Sequence, residues 1–219
     1  MIPKTSNRLV FLDSNGFFIK QNSCFLTNFT QIYTKDRPMN YCKKNQIYII
    51  FFVLFSGLLQ GQSLVNPIIS DFGTIGDAPM ANEKPDPDMV YNIVVDVATG
   101  DEDKSQVFFA LNNLARLMNL HVMGGVPPEH LNVVVAIHGS AIWSVMNDQA
   151  YTKRYGITNP HSPLFKQLLA QGVKIVVCSQ SMFKRKIAPE ELAPGLEMAT
   201  SALTVLTTYQ LKGYALLRF

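Results

Sequence analysis

Three short apolar runs, each rich in β-branched residues and each followed by a segment of different period, limit what this chain can become. Residues 90–98 (VYNIVVDVA), 131–137 (LNVVVAI) and 173–177 (VKIVV) are too short for buried helices. They also lack the polar alternation of a strand with one wet face, so they read as strands covered on both sides. Between the first two, Val107, Phe108, Leu111, Leu114, Ala115, Leu117 and Met118 recur at helical spacing. That spacing predicts an amphipathic helix through about Leu120, with Ser105 or Asp103 as its cap. Residues 141–150 form a second expected helix, and a third runs from His161 or Ser162 to Ala170, with Gly172 as its stop signal. After the third strand come a short helical stretch, a polar turn at Pro189-Glu190-Glu191 and a short strand at 196–199. A helix over 201–211, closed by Gly213, and a final strand over 214–219 complete the pattern. Strands alternating with helices imply right-handed crossovers, and hence an α/β fold with a mostly parallel sheet of about five strands covered on both faces.

The N-terminal third reads as an address. Met39 opens a short basic region with Lys43 and Lys44, followed by the apolar run 47–59 and small Gly61. That run is short of the roughly 20 residues a membrane-spanning helix needs. Residues 39–61 are therefore expected to be a signal peptide cleaved before Gln62, placing the mature protein in the periplasm or outside the cell with no stable membrane anchor after cleavage. An uncleaved anchor is the rival reading. No Cys follows the run to carry a lipid. Residues 1–38 have isolated aromatics such as Phe11, Phe17 and Phe25 but no sustained period. They are read as a non-native extension ahead of Met39, or as a disordered tail. Residues 62–89, with Pro67, Pro79, Pro85, Pro87, Gly73 and Gly76, form a linker or an irregular arm on the domain edge.

The formal charge of +3 is small and its basic residues are unclustered, which argues against a nucleic-acid partner. Of the three cysteines, Cys24 and Cys42 precede the expected cut, so the mature chain keeps only Cys178 and can form no internal disulfide. His121, His130 and His161 are expected in separate loops without metal-ligand spacing, so no metal is expected. GxGxxG, GxxxxGK[ST] and GxSxG are missing, and no cofactor is expected.

Open parallel sheets gather their chemistry beyond the carboxyl ends of the strands. Asp96 to Asp101 after the first strand, Thr99 among them, His138-Gly139 after the second, and Cys178 with Gln180 after the third would share one rim. Cys178 leads into Ser179-Gln180-Ser181-Met182, the first turn of a helix whose free amides favour a thiolate, with Lys184, Arg185 and Lys186 adding charge nearby. The alternative is a strand-end cysteine buried as a small hydrophobe. His138 can polarise a thiol or hold an anion, or simply close a turn by bonding a backbone carbonyl. The acidic run Asp101-Glu102-Asp103 can bind a cation or complement a helix dipole.

The stretches NIVVDVATGD, VVVAIHGSA, GVKIVVCSQSMFKRKIAPEEL and ALTVLTTYQLKGYALLRF together resemble the DsrE/DsrF-like sulfur-relay family, which includes the TusD-type carriers. The resemblance makes 90–219 a DsrE-like domain and implies a flavodoxin-like three-layer sandwich, a homo-oligomer, and a thiol-containing sulfur donor or acceptor protein as partner. It places Cys178 at the cysteine that carries sulfane sulfur as a persulfide, making this chain an exported sulfur carrier or transferase. The sequence departs from the relay pattern in its signal segment and in Lys186-Ile187, where the carriers tend to have Arg-Gly, so their cytoplasmic tRNA pathway is not transferred. The competing expectation is a non-catalytic oligomeric protein that binds a small ligand at the rim, with Cys178 structural. Solvent access of Cys178 separates the two.

Overall fold

The structure is a computed structural model and describes residues 63–219. The expected signal segment and the extension before it lie outside the described residues. Strands β1 (Leu64–Val65) and β2 (Ile75–Gly76) pair antiparallel in a small ribbon. The main sheet holds β3 (Tyr91–Val97), β4 (Leu131–Ile137), β5 (Lys174–Cys178), β6 (Glu197–Ala199) and β7 (Ala215–Arg218). Its order is β6-β5-β4-β3-β7, and every neighbouring pair is parallel. Five α-helices among the described residues accompany it: α1 (Phe109–Met123), α2 (Asp148–Tyr155), α3 (Ser162–Ala170), α4 (Ser179–Arg185) and α5 (Ala202–Leu211). This is a flavodoxin-like three-layer α/β sandwich.

Strand alternation divides the apolar runs between two faces. Ile93, Val95, Val97, Val133, Val135, Ile137, Ile175 and Val177 pack with Leu111, Leu114 and Met118 of α1 and Leu164 and Leu168 of α3. Burying such a side chain contributes roughly 1.5–3 kcal/mol, so this layer supplies most of the core's stability. The opposite face is thinner: Val94, Val134, Ala136, Val176 and Cys178 pack on Ala202 and Val205 of α5. Strand order explains the asymmetry. The chain steps from β3 to β4, β5 and β6 toward one edge, then returns across the whole sheet to β7 beside β3. A right-handed crossover in the reverse direction must lie on the other face, and α5 is that crossover.

The helix expected over 141–150 is two elements. Gly139–Val145 is a 3-10 helix, and α2 starts only at Asp148. The break lies at Met146 and Asn147, whose backbones are committed elsewhere. Met146 bridges to Leu192, the Asn147 N–H donates to the Glu191 carbonyl at 2.7 Å, and Asn147 Nδ2 donates to the Glu190 carbonyl at 2.9 Å. Asn147 Oδ1 then caps α2 by accepting the Ala150 N–H. Helix α1 starts later and ends later than its apolar period suggests. Its first N–H, from Phe109, is taken by the Asp101 carboxylate, while Asp103 holds the Ser105 N–H and hydroxyl. Asp101 thus complements the helix start.

Residues 63–89 are an arm packed on α1. Ile69 and Ile75 are buried with the core residues. Fully buried Asn119 accepts the Ile68 and Ile69 N–H groups at 3.0 and 2.9 Å and donates to the carbonyls of Ile69, Phe72 and Gly73. Gly73 (φ +64°) runs so close to α1 that a β-carbon would sit 2.3 Å from the Arg116 nitrogen, so no other residue fits there.

Candidate functional site

Cys178 is the last residue of β5, and its side chain faces α5 rather than α1. It is 5% exposed. Two helix beginnings close on the sulfur. Cys178 is itself the N-cap residue of α4, and Ser201, two residues past the end of neighbouring β6, is the N-cap of α5. Sγ lies 4.0 Å from Ser201 Oγ. Burial pushes the Cys178 thiol up. The Ala202 N–H, the Ser181 hydroxyl and N–H, and the Ser201 hydroxyl bond to the sulfur, outweigh burial, and hold it below the ordinary thiol value. The Ser181 hydroxyl is oriented for this task, because its oxygen accepts the Gly139 N–H at 3.2 Å and leaves its own proton for the sulfur.

The charge expected from Lys184, Arg185 and Lys186 is not the cause of this depression. Lys184 and Arg185 occupy the last turn of α4 and Lys186 its left-handed C-cap, at the far end of the helix from Cys178. Hydroxyls and amides stabilise the thiolate instead.

His138 continues β4 by one residue, its N–H donating to the Val97 carbonyl at 3.0 Å. The ladder pairs Val177 with Ile137, so Cys178 and His138 stand next to each other on strands about 4.8 Å apart. No hydrogen bond joins them among the described residues. The His138 ring instead bonds Asp96, Nε2 to Oδ1 at 2.6 Å, and Arg218 Nε of β7 lies 3.6 Å from the other carboxylate oxygen. Asp96 is buried, and its carboxylate lies on the α5 face, as Val94 does two residues earlier. Arg218, Asp96, His138 and Cys178 therefore form one polar rank across the carboxyl ends of β7, β3, β4 and β5.

Gly139 sits at φ +57°, where a β-carbon would stand 2.2 Å from the Ala98 carbonyl oxygen. Its role is this crossing and the N–H given to Ser181. Thr99 and Gln180, expected at the rim, have exposed side chains and take part in none of the hydrogen bonds around the sulfur. A cleft of about 420 Å³ opens beside α5 and β6, lined by Lys174, Glu197, Thr204, Tyr209 and Lys212 among others, and its lining includes neither Cys178 nor His138.

Sequence reasoning missed Ser201 and Arg218, and it gave no role of their own to Asp96 on the rim or to Ser181 in the first turn after Cys178. Asp96 carried a legible signal, a carboxylate inside a run of buried β-branched residues. His121 is placed differently from expectation, whereas His161 lies in the turn that leads into α3. His121 lies within α1, its Nδ1 bonded to the Leu117 carbonyl. His161 is fully buried between two elements: Nδ1 donates to Asn159 Oδ1 at 2.7 Å and Nε2 accepts the Phe108 N–H at 3.2 Å. Burial, with a smaller contribution from Lys104, lowers its value to about 3. Among the described residues no group of three His, Cys, Asp or Glu side chains is arranged to hold a metal ion.

The sequence pattern of the DsrE/DsrF-like family matches residues 89–219, well over half of the chain and the whole five-stranded sheet. The chain belongs to the DsrE/DsrF-like family. Its arm, residues 63–88, lies outside the matched region. Among solved structures, the chain is similar to the ychN protein from E. coli, with a TM-score of 0.46 and 19% identity over 59% of this chain and 99% of that one. It is also similar to MTH1491, a protein of unknown function from Methanobacterium thermoautotrophicum, with a TM-score of 0.45 and 19% identity over the same shares. None of the curated proteins matches the chain significantly.

Proposed function

We propose that this DsrE-like protein carries sulfane sulfur as a persulfide on Cys178, exchanging it with a thiol-containing partner protein. The observation that carries the reading is the set of donors around Sγ, from Ala202, Ser181 and Ser201, which holds the thiol below its ordinary value despite burial. A thiolate is the form that attacks a sulfane or disulfide sulfur. The 5% exposure of Cys178 fits a sulfur that meets its partner through a narrow opening and shields the persulfide between encounters. The competing reading, a binding protein with an inert cysteine, draws on that same burial, but an inert buried thiol sits in apolar surroundings and is raised.

The proposal includes export, which rests on the basic and apolar segment 39–61, and self-association. Helix α5 has no charged residue from Ala202 to Leu211 and exposes Leu203 and Leu211 on its outer side, a surface suited to a second copy. Sedimentation showing only monomer at micromolar concentration would remove self-association, and an unprocessed N-terminus in the expressed protein would remove export by a cleaved signal.

The central test incubates the full chain with inorganic polysulfide and reads the Cys178 peptide by mass spectrometry, alongside alkylation of that peptide across pH. The expected result is an added sulfur mass on Cys178 and alkylation that titrates below the roughly 8.5 of free cysteine. A Cys178 that reacts only after unfolding sinks the carrier and leaves the binding protein.

A further inference from the structure

We infer that His138, positioned by Asp96, is the proton carrier for the partner's thiol at the Cys178 site. This assignment rests on the carrier reading above. The sulfur of Cys178 has donors of its own, from Ala202, Ser181 and Ser201, which favour its thiolate form. The proton without a keeper belongs to the other sulfur, that of the thiol that arrives or departs.

His138 is placed to take it. It is next to Cys178 in the ladder and on the same sheet face, and at 27% side-chain exposure it is more open to an incoming molecule than the buried sulfur. A persulfide adds a second sulfur beyond Sγ, so the reacting atom lies further out than the cysteine itself. The 2.6 Å bond to buried Asp96 occupies Nε2, and Nδ1 has no hydrogen-bond partner among the described residues. The carboxylate orients the ring, and Arg218 Nε, 3.6 Å from the second oxygen, holds the carboxylate from its other side. Asp, His and Cys thus stand at the ends of three adjacent central strands in the order β3, β4, β5, with the acid behind the base and the base beside the nucleophile's strand.

In unloading, an acceptor R–SH gives its proton to His138 as its sulfur attacks the outer sulfur of Cys178–S–SH. The new R–S–SH bond forms, the Sγ–S bond breaks, and Cys178 leaves as the thiolate its donors stabilise, paired with a protonated His138. Loading is the reverse: the thiolate attacks the outer sulfur of a persulfide donor, and His138 returns the proton to the departing thiolate. The sulfane sulfur moves without net oxidation or reduction.

The test loads the full chain with inorganic polysulfide and follows loss of the sulfur mass from the Cys178 peptide at pH 7. Two acceptors are compared: glutathione, which is mostly protonated, and thionitrobenzoate, which is already a thiolate. His138→Gln is expected to slow transfer to glutathione by about 10- to 100-fold, in the range of general acid–base contributions, with transfer to thionitrobenzoate within about twofold of wild type because that acceptor has no proton to lose. Asp96→Asn shifts the same comparison in the same direction, and His121→Gln on α1 changes neither rate. Equal slowing of both acceptors assigns His138 a structural role and overturns the inference, as does a wild-type rate to glutathione in His138→Gln. A wild-type chain that takes no sulfur on Cys178 overturns the carrier reading and this assignment together.

Discussion

The Gly139 N–H donates to Ser181 Oγ at 3.2 Å across 42 residues of chain, tying the loop after β4 to the first turn of α4. The bond leaves Ser181 with a proton aimed at Cys178. The donors around the sulfur therefore depend on a backbone amide beyond the end of β4 as well as on the helix that Cys178 caps.

Ser181→Ala and Ser201→Ala each remove one hydroxyl donor to the sulfur and leave burial, which opposes ionisation, in place. Each variant therefore lowers the thiolate fraction at neutral pH, Ser181→Ala more than Ser201→Ala, whose oxygen lies 4.0 Å from the sulfur. Iodoacetamide labelling of Cys178 at pH 7 should slow several-fold in Ser181→Ala, less in Ser201→Ala, and recover at high pH. Unchanged labelling at neutral pH shows that the hydroxyls do not govern the thiol.

His161 makes stability depend on pH. The unfolded chain holds an ordinary histidine at 6.5 and the folded chain holds it at about 3, so the unfolded state binds the extra proton between those values. Its stabilisation is whole above pH 6.5 and is lost as pH falls toward 3, with a slope of at most about 1.4 kcal/mol per pH unit. His161→Gln should be less stable at pH 7.5, where two buried hydrogen bonds are altered, and should show a flatter decline between pH 6 and 4 in urea titrations. Parallel declines for the two proteins would refute the assignment.

Asn119 holds the arm. Asn119→Ala strands two backbone N–H groups and three carbonyls that it now serves in the interior. Each buried group left unsatisfied costs about 1–3 kcal/mol, and partial relaxation leaves a loss of about 3 kcal/mol or more. Limited proteolysis should then cut within 63–88 before the sheet domain. An arm as resistant as wild type would mean that Ile69 and Ile75 anchor it without the amide.

Much of the architecture was legible in the sequence because buried parallel strands leave a local mark. The runs around Val94, Val134 and Val176 are continuous in β-branched residues, and the helical period around Leu111 and Leu114 needs no partner to be seen. The split of the second helix at Met146 and Asn147 was not legible, since its cause is a hydrogen-bonding segment more than 40 residues away at Glu190 to Leu192. The path of the arm was hidden in the same way, because Asn119 looks like any polar residue of a helix until Ile69 closes over it.

The sequence by itself determined the strands, the rim on which Cys178 and His138 lie, and the family to which the sheet belongs, because period and strand-end position are properties of neighbouring residues. Only the tertiary structure decided what surrounds the sulfur. Helix α5 returns across the opposite face of the sheet and brings Ser201 and Ala202 to a cysteine 23 residues earlier. Parallel pairing likewise sets Asp96 behind His138 and Arg218 behind Asp96. Those contacts come from strand order and crossover handedness, which are fixed by how the whole chain packs and leave no trace in local spacing.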